Sequence, residues 1–400
     1  MNAQSQDQFR WTTPDLGTGV VSTEPNTSSA YFEVEREKVF KRCWLNVGRV
    51  EEVPNPGDFI VKDVEPLKAS VLIVRGNDGK VRAFHNICRH RGNGLTRACR
   101  GSAKGFSCGF HGWVYDLSGN LVHVPDEEQF FGLKKSELGL LVLTTDVWEG
   151  FIFIHASVKP EQTLKEFMGD IGASLEGYPF SDLTLDVEYG ITVDCNWKVF
   201  SDAFQEGYHV GFIHKNTFPT AFCSKDNPFL HMFEYRLGEF HNAASVYGNP
   251  DYAPTPVDLL MRKIGTSTYG APSAKAAIDG LKGLNPQRHP HFMFEVFNFF
   301  PNFTMHVGAG FYYSYNFWPV SVNKTRWVMR LYGHPARNAG ERISKEYTKV
   351  LLRDAVKEDI NTTESTQRNM DSGVLPYMVL CDQEVMLRQK YGIVDRMVKV

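Results

Sequence analysis

The strongest constraint in this chain is Cys88-Arg89-His90, followed after seventeen intervening residues by Cys108-Gly109-Phe110-His111. Two thiolates and two imidazoles suffice for a two-metal centre. With both thiolates on one iron and both imidazoles on the other, they form the ligand set of one type of [2Fe–2S] cluster. Its neutral histidines remove negative charge and raise its reduction potential. Zinc accepts the same inventory, but zinc fingers usually group their cysteines together and their histidines together. Here each short motif holds one of each. Gly92, Gly94, Gly101, Gly105, Gly109 and Gly112 crowd the segment, so the backbone can wrap closely and aim N–H groups at sulfur. A cluster held by Cys88, His90, Cys108 and His111 follows, and with it single-electron chemistry.

Four hundred residues amount to two or three domains, and 42% apolar against 22% charged residues describe an ordinary globular chain with a large core. A formal net charge of −3 gives no footprint for nucleic acid or an anionic membrane. No run of eighteen apolar residues predicts a membrane span. Met1-Asn2-Ala3-Gln4-Ser5-Gln6-Asp7 has neither a basic stretch nor an apolar centre, so no signal peptide is expected. Cys43, Cys99, Cys195, Cys223 and Cys381 are scattered, which predicts reduced thiols and a cytoplasmic setting rather than a disulfide framework. The 29 Phe and 16 Tyr favour a large apolar pocket or core.

Along the chain, a polar lead-in and a helix carrying Tyr31, Phe32, Val34, Val39 and Phe40 fill the first forty residues. Short β-runs follow to about His155, divided by turn signals such as Asn77-Asp78-Gly79 and Ser118-Gly119-Asn120. Leu164, Phe167, Met168, Ile171 and Leu175 predict a helix. Strands are expected near 186–195, 230–240, 292–300, 303–318 and 325–334, then a long helix from about Glu341 to Thr366. The division expected is a segment 1–43 packing on the last domain, a cluster-bearing β domain 44–155, and a larger mixed domain 156–400.

That larger domain carries Asp202-Ala203-Phe204-Gln205-Glu206-Gly207-Tyr208-His209, then His214. Spacing of five suits one histidine at a helical turn and another just past it. Two histidines alone are ordinary core or surface residues. Glu206, three residues ahead of His209, can orient its ring as second partners of metal-bound histidines do. An electron-transfer cluster also needs an acceptor. Two histidines and a carboxylate make the facial triad of non-haem Fe(II) oxygenases, with open positions for O2 and substrate.

Asn196-Trp197-Lys198, the Glu206-x₂-His209-x₄-His214 run and the upstream cluster motif, with Phe110-His111-Gly112-Trp113-x-Tyr115-Asp116, together resemble the catalytic alpha subunit of the Rieske non-haem iron oxygenases. The resemblance covers essentially the whole chain. It implies an α+β fold: a small antiparallel β Rieske domain and a larger helix-grip-like catalytic domain with a curved antiparallel sheet and helices. It implies one Rieske [2Fe–2S] cluster at Cys88, His90, Cys108 and His111 and one mononuclear Fe(II) at His209, His214 and an aspartate in a late helix. Glu358-Asp359-x₇-Gln367 matches the family's acidic run, so Asp359 is the third ligand expected. Spacing does not separate it from Asp354, Glu358 or Asp371. Electrons would come from NAD(P)H through a flavin reductase, with or without a ferredoxin. The family's trimer implies a homotrimer here, with or without a small beta subunit, in which one chain's cluster serves the next chain's iron. Trp113 and Tyr115 would shield the cluster or simply pack the β core. Gly109 stands where the family often has proline.

Two departures matter. Glu206 replaces the family's usual aspartate and keeps the role of bridge between the two imidazole sets. It is reminiscent of members that oxidise amines and quaternary ammonium compounds. Asp202 replaces an asparagine found near the iron in ring-dihydroxylating members; it tunes the iron's charge or bonds locally.

Phe204, Phe212, Phe218 and Phe222 flank the iron motif, and Met293, Phe294, Phe297, Phe299, Phe300, Met305 and His306 occupy later strands. Alternation turns about half of these to a pocket. An apolar, aromatic small-molecule substrate follows, with residues 240–290 as loops forming a lid. Three functions stand: monooxygenation, as N- or O-dealkylation; cis-dihydroxylation of an aromatic ring; and a Rieske electron carrier without oxygenase activity.

Overall fold

The computed structural model describes residues 14–218, 220–265 and 280–400. The described chain divides into two compact units, Arg36–Phe167 and the remainder. The smaller unit thus begins before Trp44 and ends after His155, because Trp44 Nε1 donates to the Gln162 carbonyl and Arg42 pairs with Glu161.

The smaller unit is built on a seven-stranded sheet with every pairing antiparallel. Its spatial order is Leu45–Arg49, Phe151–His155, Val142–Trp148, Val81–His85, Ala69–Arg75, Asp58–Val64, Arg100–Ser102. A second, three-stranded sheet joins Phe106–Ser107, Val114–Tyr115 and Leu121–His123. Phe59, Leu72, Val74, Phe84, Trp113 and Tyr115 share a core with the two motif cysteines.

The larger unit wraps a second seven-stranded antiparallel sheet, in the order Thr184–Val193, Lys324–Gly333, Phe311–Ser321, Phe303–Gly308, Phe292–Phe299, Asn242–Tyr247, Glu234–Leu237. Register shifts at 185/187, 246/247 and 319/321 mark irregularities that bend strands and curve a sheet. The predicted strand 303–318 is a hairpin: Gly310, at φ +77°, makes the turn between Phe303–Gly308 and Phe311–Ser321. The long helix runs Ala339–Met370, capped by the Asn338 side chain, which accepts from the Glu341 N–H. Its buried stripe includes Thr348, Leu352, Ala355, Val356, Asp359, Ile360 and Thr363, at three- and four-residue spacing. Leu352, Val356 and Ile360 pack in one core with Phe200, Phe204, Tyr313, Tyr315 and Trp327.

Residues 240–290 are not simply loops. Asn242–Tyr247 is a fully buried strand between two neighbours, and Pro256–Ile264 is a helix closed by a Thr255/Asp258 capping box. Ala243 and Ala244 carry little β preference, and pairing on both sides overrides it. Residues 248–255 and 280–290 are turns and loops, as expected, while 266–279 lie outside the described residues, as do Met1–Asp7. All seven cysteines are unpaired. Among the described residues, no helix is long and apolar enough to cross a membrane.

Candidate active site

The two cluster motifs fold into matching loops. The carbonyl of Cys88 accepts from Gly92 N–H at 3.0 Å and that of Cys108 from Gly112 N–H at 2.9 Å. The N–H of Cys88 donates to Asn93 and that of Cys108 to Trp113, each at 2.8 Å. Gly92 and Gly112 both take positive φ, +80° and +69°, which lets each loop close. The loops bring His90 Nδ1 within 3.1 Å of His111 Nδ1 and bury both cysteines. Burial raises the Cys108 thiol, yet the N–H groups of Phe110 and His111, with Asn93 and Cys88, outweigh it and lower the pKa. A site that favours thiolate while two imidazole nitrogens converge fits a cluster with Cys and His on different irons. Tyr115 is fully buried, its hydroxyl 3.5 Å from Cys88 Sγ and accepting from Arg89 N–H. Trp113 stacks on His90 at 5.0 Å between centroids. The cysteine side is thus sealed, whereas His90 and His111 are half-buried and Phe110 is 54% exposed.

In the larger unit His209 and His214 bracket the four-residue helix Val210–Ile213. The helix Ala339–Met370 delivers Asp359 to the same place. Ligand atoms of His209, His214 and Asp359 all lie within 4.8 Å of one another. Asp359 Oδ1 is buried, stands 3.6 Å from His209 Nε2 and 3.2 Å from His214 Nε2, and makes no geometrically complete hydrogen bond among the described residues. An orphaned carboxylate oxygen between two imidazoles fits a metal ion that all three would hold.

The other nitrogens of both rings are also engaged. His209 Nδ1 bonds to Glu206 Oε1, and Glu206 Oε2 accepts from the His209 N–H at 3.1 Å. His214 Nδ1 lies 2.8 Å from Glu358 Oε2. Burial opposes charge on His209, but Glu206 and Asp359 outweigh it and push the ring up to about 9. Three carboxylates around two imidazoles, His214 buried and His209 half-buried, leave a negative surplus suited to a dication.

Of the other acids weighed, Asp354 pairs with Arg353, and Asp371 accepts from Gln367 and Asn323. Asp202 joins neither the triad nor its partners. It pairs with Lys390 Nζ at 2.5 Å and accepts from the Tyr391 hydroxyl at 3.1 Å, a buried counter-ion for a buried ammonium. Burial raises its pKa against the pull of Lys390.

A cavity with about 660 Å³ of empty space, part of it open to solvent, reaches from the triad into the core. Of the eleven aromatic, Met and His residues singled out above, five line it: Phe204, Phe218, Phe222, Phe294 and His306. Phe212 is exposed at 56%, and Phe299 and Phe300 border a second, separate cavity. Val246, Val296, Leu352, Ala355 and Val356 also line the first cavity and were not anticipated. The last three share a helix face with Asp359, at i, i+3, i+4 and i+7, which was a usable signal.

Residues 180–400 match the family described as Ring hydroxylating alpha subunit (catalytic domain), and residues 43–143 match the Rieske [2Fe-2S] domain. Biphenyl 2,3-dioxygenase subunit alpha of Rhodococcus jostii (strain RHA1) is 36% identical over 209 residues, 49% of this chain and 44% of that one. Benzene 1,2-dioxygenase subunit alpha of Pseudomonas putida is 34% identical over 281 residues, 66% and 60% of the two chains. The chain spans about half the length of the curated relatives it matches. Among solved structures, naphthalene 1,2-dioxygenase from Rhodococcus sp. bound to indole has a TM-score of 0.76 at 19% identity, over 98% of this chain and 97% of that one. The quaternary ammonium Rieske monooxygenase CntA in complex with an inhibitor has a TM-score of 0.75 at 20% identity, over 96% of each chain.

Proposed function

This chain belongs to the ring-hydroxylating alpha subunits that carry a Rieske [2Fe–2S] domain, and on that premise we propose that it is the oxygenase component of a multicomponent system acting on a neutral, apolar, aromatic small molecule. The observation that carries the reading is the His209–His214–Asp359 group at the head of a cavity walled by Phe204, Phe218, Phe222 and Phe294. A mononuclear Fe(II) bound there supplies O2 chemistry, with coordination positions left open by only three protein ligands.

The protein's own share is positioning, exclusion of water and delivery of electrons. Glu206 and Glu358 fix both imidazoles through Nδ1, so each presents Nε2 to the metal side. Phenylalanine walls exclude water and offer no counter-ion to a charged substrate. Cys88 and Cys108 would take the sealed end of the cluster, and the accessible His90 and His111 the end where electrons leave. A flavin reductase, with or without a ferredoxin, would draw those electrons from NAD(P)H. We place the working assembly in the cytoplasm as a homotrimer, with or without a beta subunit. In it, exposed Phe110 beside His111 would meet the exposed Tyr208, Phe212 and Phe229 of the next copy. Glu206 then bridges His209 to the arriving imidazole. A structure of similar fold is described in terms of inter-subunit electron transfer.

For the reaction we put monooxygenation first, as N- or O-dealkylation. One O2 atom enters a C–H bond beside the heteroatom, two electrons and two protons take the other to water, and the resulting hemiaminal or hemiacetal breaks its carbon–heteroatom bond to release the amine or alcohol and an aldehyde. Glu206, one methylene longer than aspartate, supports this. cis-Dihydroxylation of a ring is the second reading, favoured by the biphenyl and benzene dioxygenase relatives. Mass spectrometry of products made under ¹⁸O2 separates them: for the first, an unlabelled dealkylated product and one labelled atom in the promptly trapped aldehyde; for the second, two labelled atoms on the ring product. Iron analysis should return about three irons per chain, two in the cluster and one beyond it. About two would leave an electron carrier.

A further inference from the structure

The cavity is apolar except at its metal end and at one further point, where His306 and Tyr315 lie. Strand register sets His306 opposite Val296 on one side and Tyr313 on the other. Its ring stacks on Phe294, with centroids 5.2 Å apart and planes 20° apart, and meets Tyr315 edge-on at 5.0 Å. Packing therefore sets its orientation, and the Tyr315 hydroxyl lies 3.5 Å from Nδ1. His306 Nε2 is buried and meets full hydrogen-bond geometry with none of the described residues, although the Phe204 carbonyl lies near enough to the ring to favour its protonated form. Burial pushes the ring down to about 4, the Phe204 carbonyl offsetting this only in part, so the imidazole is neutral near pH 7. A buried, unpaired ring nitrogen is costly in isolation and rewards a ligand that pairs with it.

We propose that His306 determines specificity by hydrogen-bonding a neutral polar substituent, a hydroxyl, carbonyl or amine, on an otherwise aromatic substrate. The proposal rests on the aromatic-substrate reading above and narrows it. One polar anchor in an apolar chamber fixes which edge of the ring faces the triad. A site built to pair with a substituent also discriminates strongly against the analogue lacking it.

The test is equilibrium binding of two fluorescent probes, 2-naphthol and naphthalene, to the iron-loaded enzyme and to His306→Leu and His306→Gln. Wild type is expected to bind 2-naphthol roughly tenfold tighter than naphthalene. His306→Leu should lose that preference while its naphthalene affinity stays put, and His306→Gln should restore part of it. Equal loss for both probes would assign His306 to packing and overturn the proposal. So would a wild type that does not distinguish the probes, a result that needs no variant. If wild type binds neither probe, the aromatic-substrate reading falls, and this one with it.

Discussion

Glu358→Ala isolates what a carboxylate behind a metal-binding histidine contributes. In the native chain Glu358 Oε2 and His214 Nδ1 are 2.8 Å apart, with Glu358 24% and His214 7% exposed. Removing such a partner typically costs 10–100-fold in metal affinity, or about 1.4–2.7 kcal/mol. Water can reach a site left by a quarter-exposed side chain and replace part of the bond, so Glu358→Ala should fall near the tenfold end. Glu206 is 10% exposed and accepts from both Nδ1 and the backbone N–H of His209. Glu206→Ala therefore removes two bonds in a drier place and should approach a hundredfold. The assay is anaerobic Fe(II) titration against a competing chelator, with visible absorbance of the cluster as an internal control for folding. Unchanged affinity in both variants, or a larger loss at Glu358 than at Glu206, would refute the reasoning.

Asp359→Ala should lose the mononuclear iron and turnover while retaining the cluster, read by metal analysis beside the visible spectrum; retained iron with full turnover would show that another acid is the ligand. Tyr115→Phe removes a hydroxyl 3.5 Å from Cys88 Sγ and should make the cluster's reduction potential more negative in a redox titration, since hydrogen bonds to sulfur raise it. Glu295 is buried against Arg236, and burial pushes it up to about 7 from 4.5. A raised folded pKa means its stability contribution is full below pH 4.5 and lost as pH rises through 7. Urea unfolding at pH 5.5 and 8 should therefore show wild type losing roughly 2 kcal/mol more than Glu295→Gln; parallel losses would exclude Glu295 as the cause. Lys390→Met leaves Asp202 without its ammonium and should destabilise by about 3–5 kcal/mol in the same assay.

What could be read from the sequence was local. Cys88-x-His90 and Cys108-x₂-His111 each close within one loop, so spacing alone carried the geometry that the matched hydrogen bonds now make explicit. His209 and His214 sit at the two ends of one helical turn, again within reach of spacing. Asp359 comes from 145 residues beyond His214, and only a pattern in the long helix marked it. A carboxylate inside a buried stripe with Leu352, Val356 and Ile360 is costly unless something pairs with it, which is a physical reason to prefer it over the half-buried Asp354 and the exposed Asp371. The cavity walls were less legible. Strand alternation told that half of the aromatic residues would face inward, but which half depends on pairing partners far away in sequence. The strand Asn242–Tyr247 shows the limit: small residues beside Gly- and Pro-rich stretches read as loop, and two flanking strands made it a buried ladder.

Asp202 exposes the converse difficulty, where residue chemistry was visible but its use was not. An acid four residues before Glu206 invited a reading as part of the iron's surroundings. The fold spends it on anchoring instead. The helix Trp197–Asp202 is held at both ends by buried charge: Lys198 Nζ pairs with Glu35 Oε1 at 2.5 Å, and Asp202 pairs with Lys390. Trp197 Nε1 donates to the second oxygen of Glu35, and Lys390 also donates to the Lys198 carbonyl and the Ser201 hydroxyl. Two ammonium groups and two carboxylates thus neutralise each other in a dry interior, where breaking any one pair strands its partner. Such a network is weak as a source of net stability and strong as a constraint on geometry. The chain leaves this helix directly into Phe204, Glu206 and His209, so whatever fixes the helix also fixes where the first iron histidine begins. Acid and lysine here act on the site through the backbone, which is why neither needs to touch it.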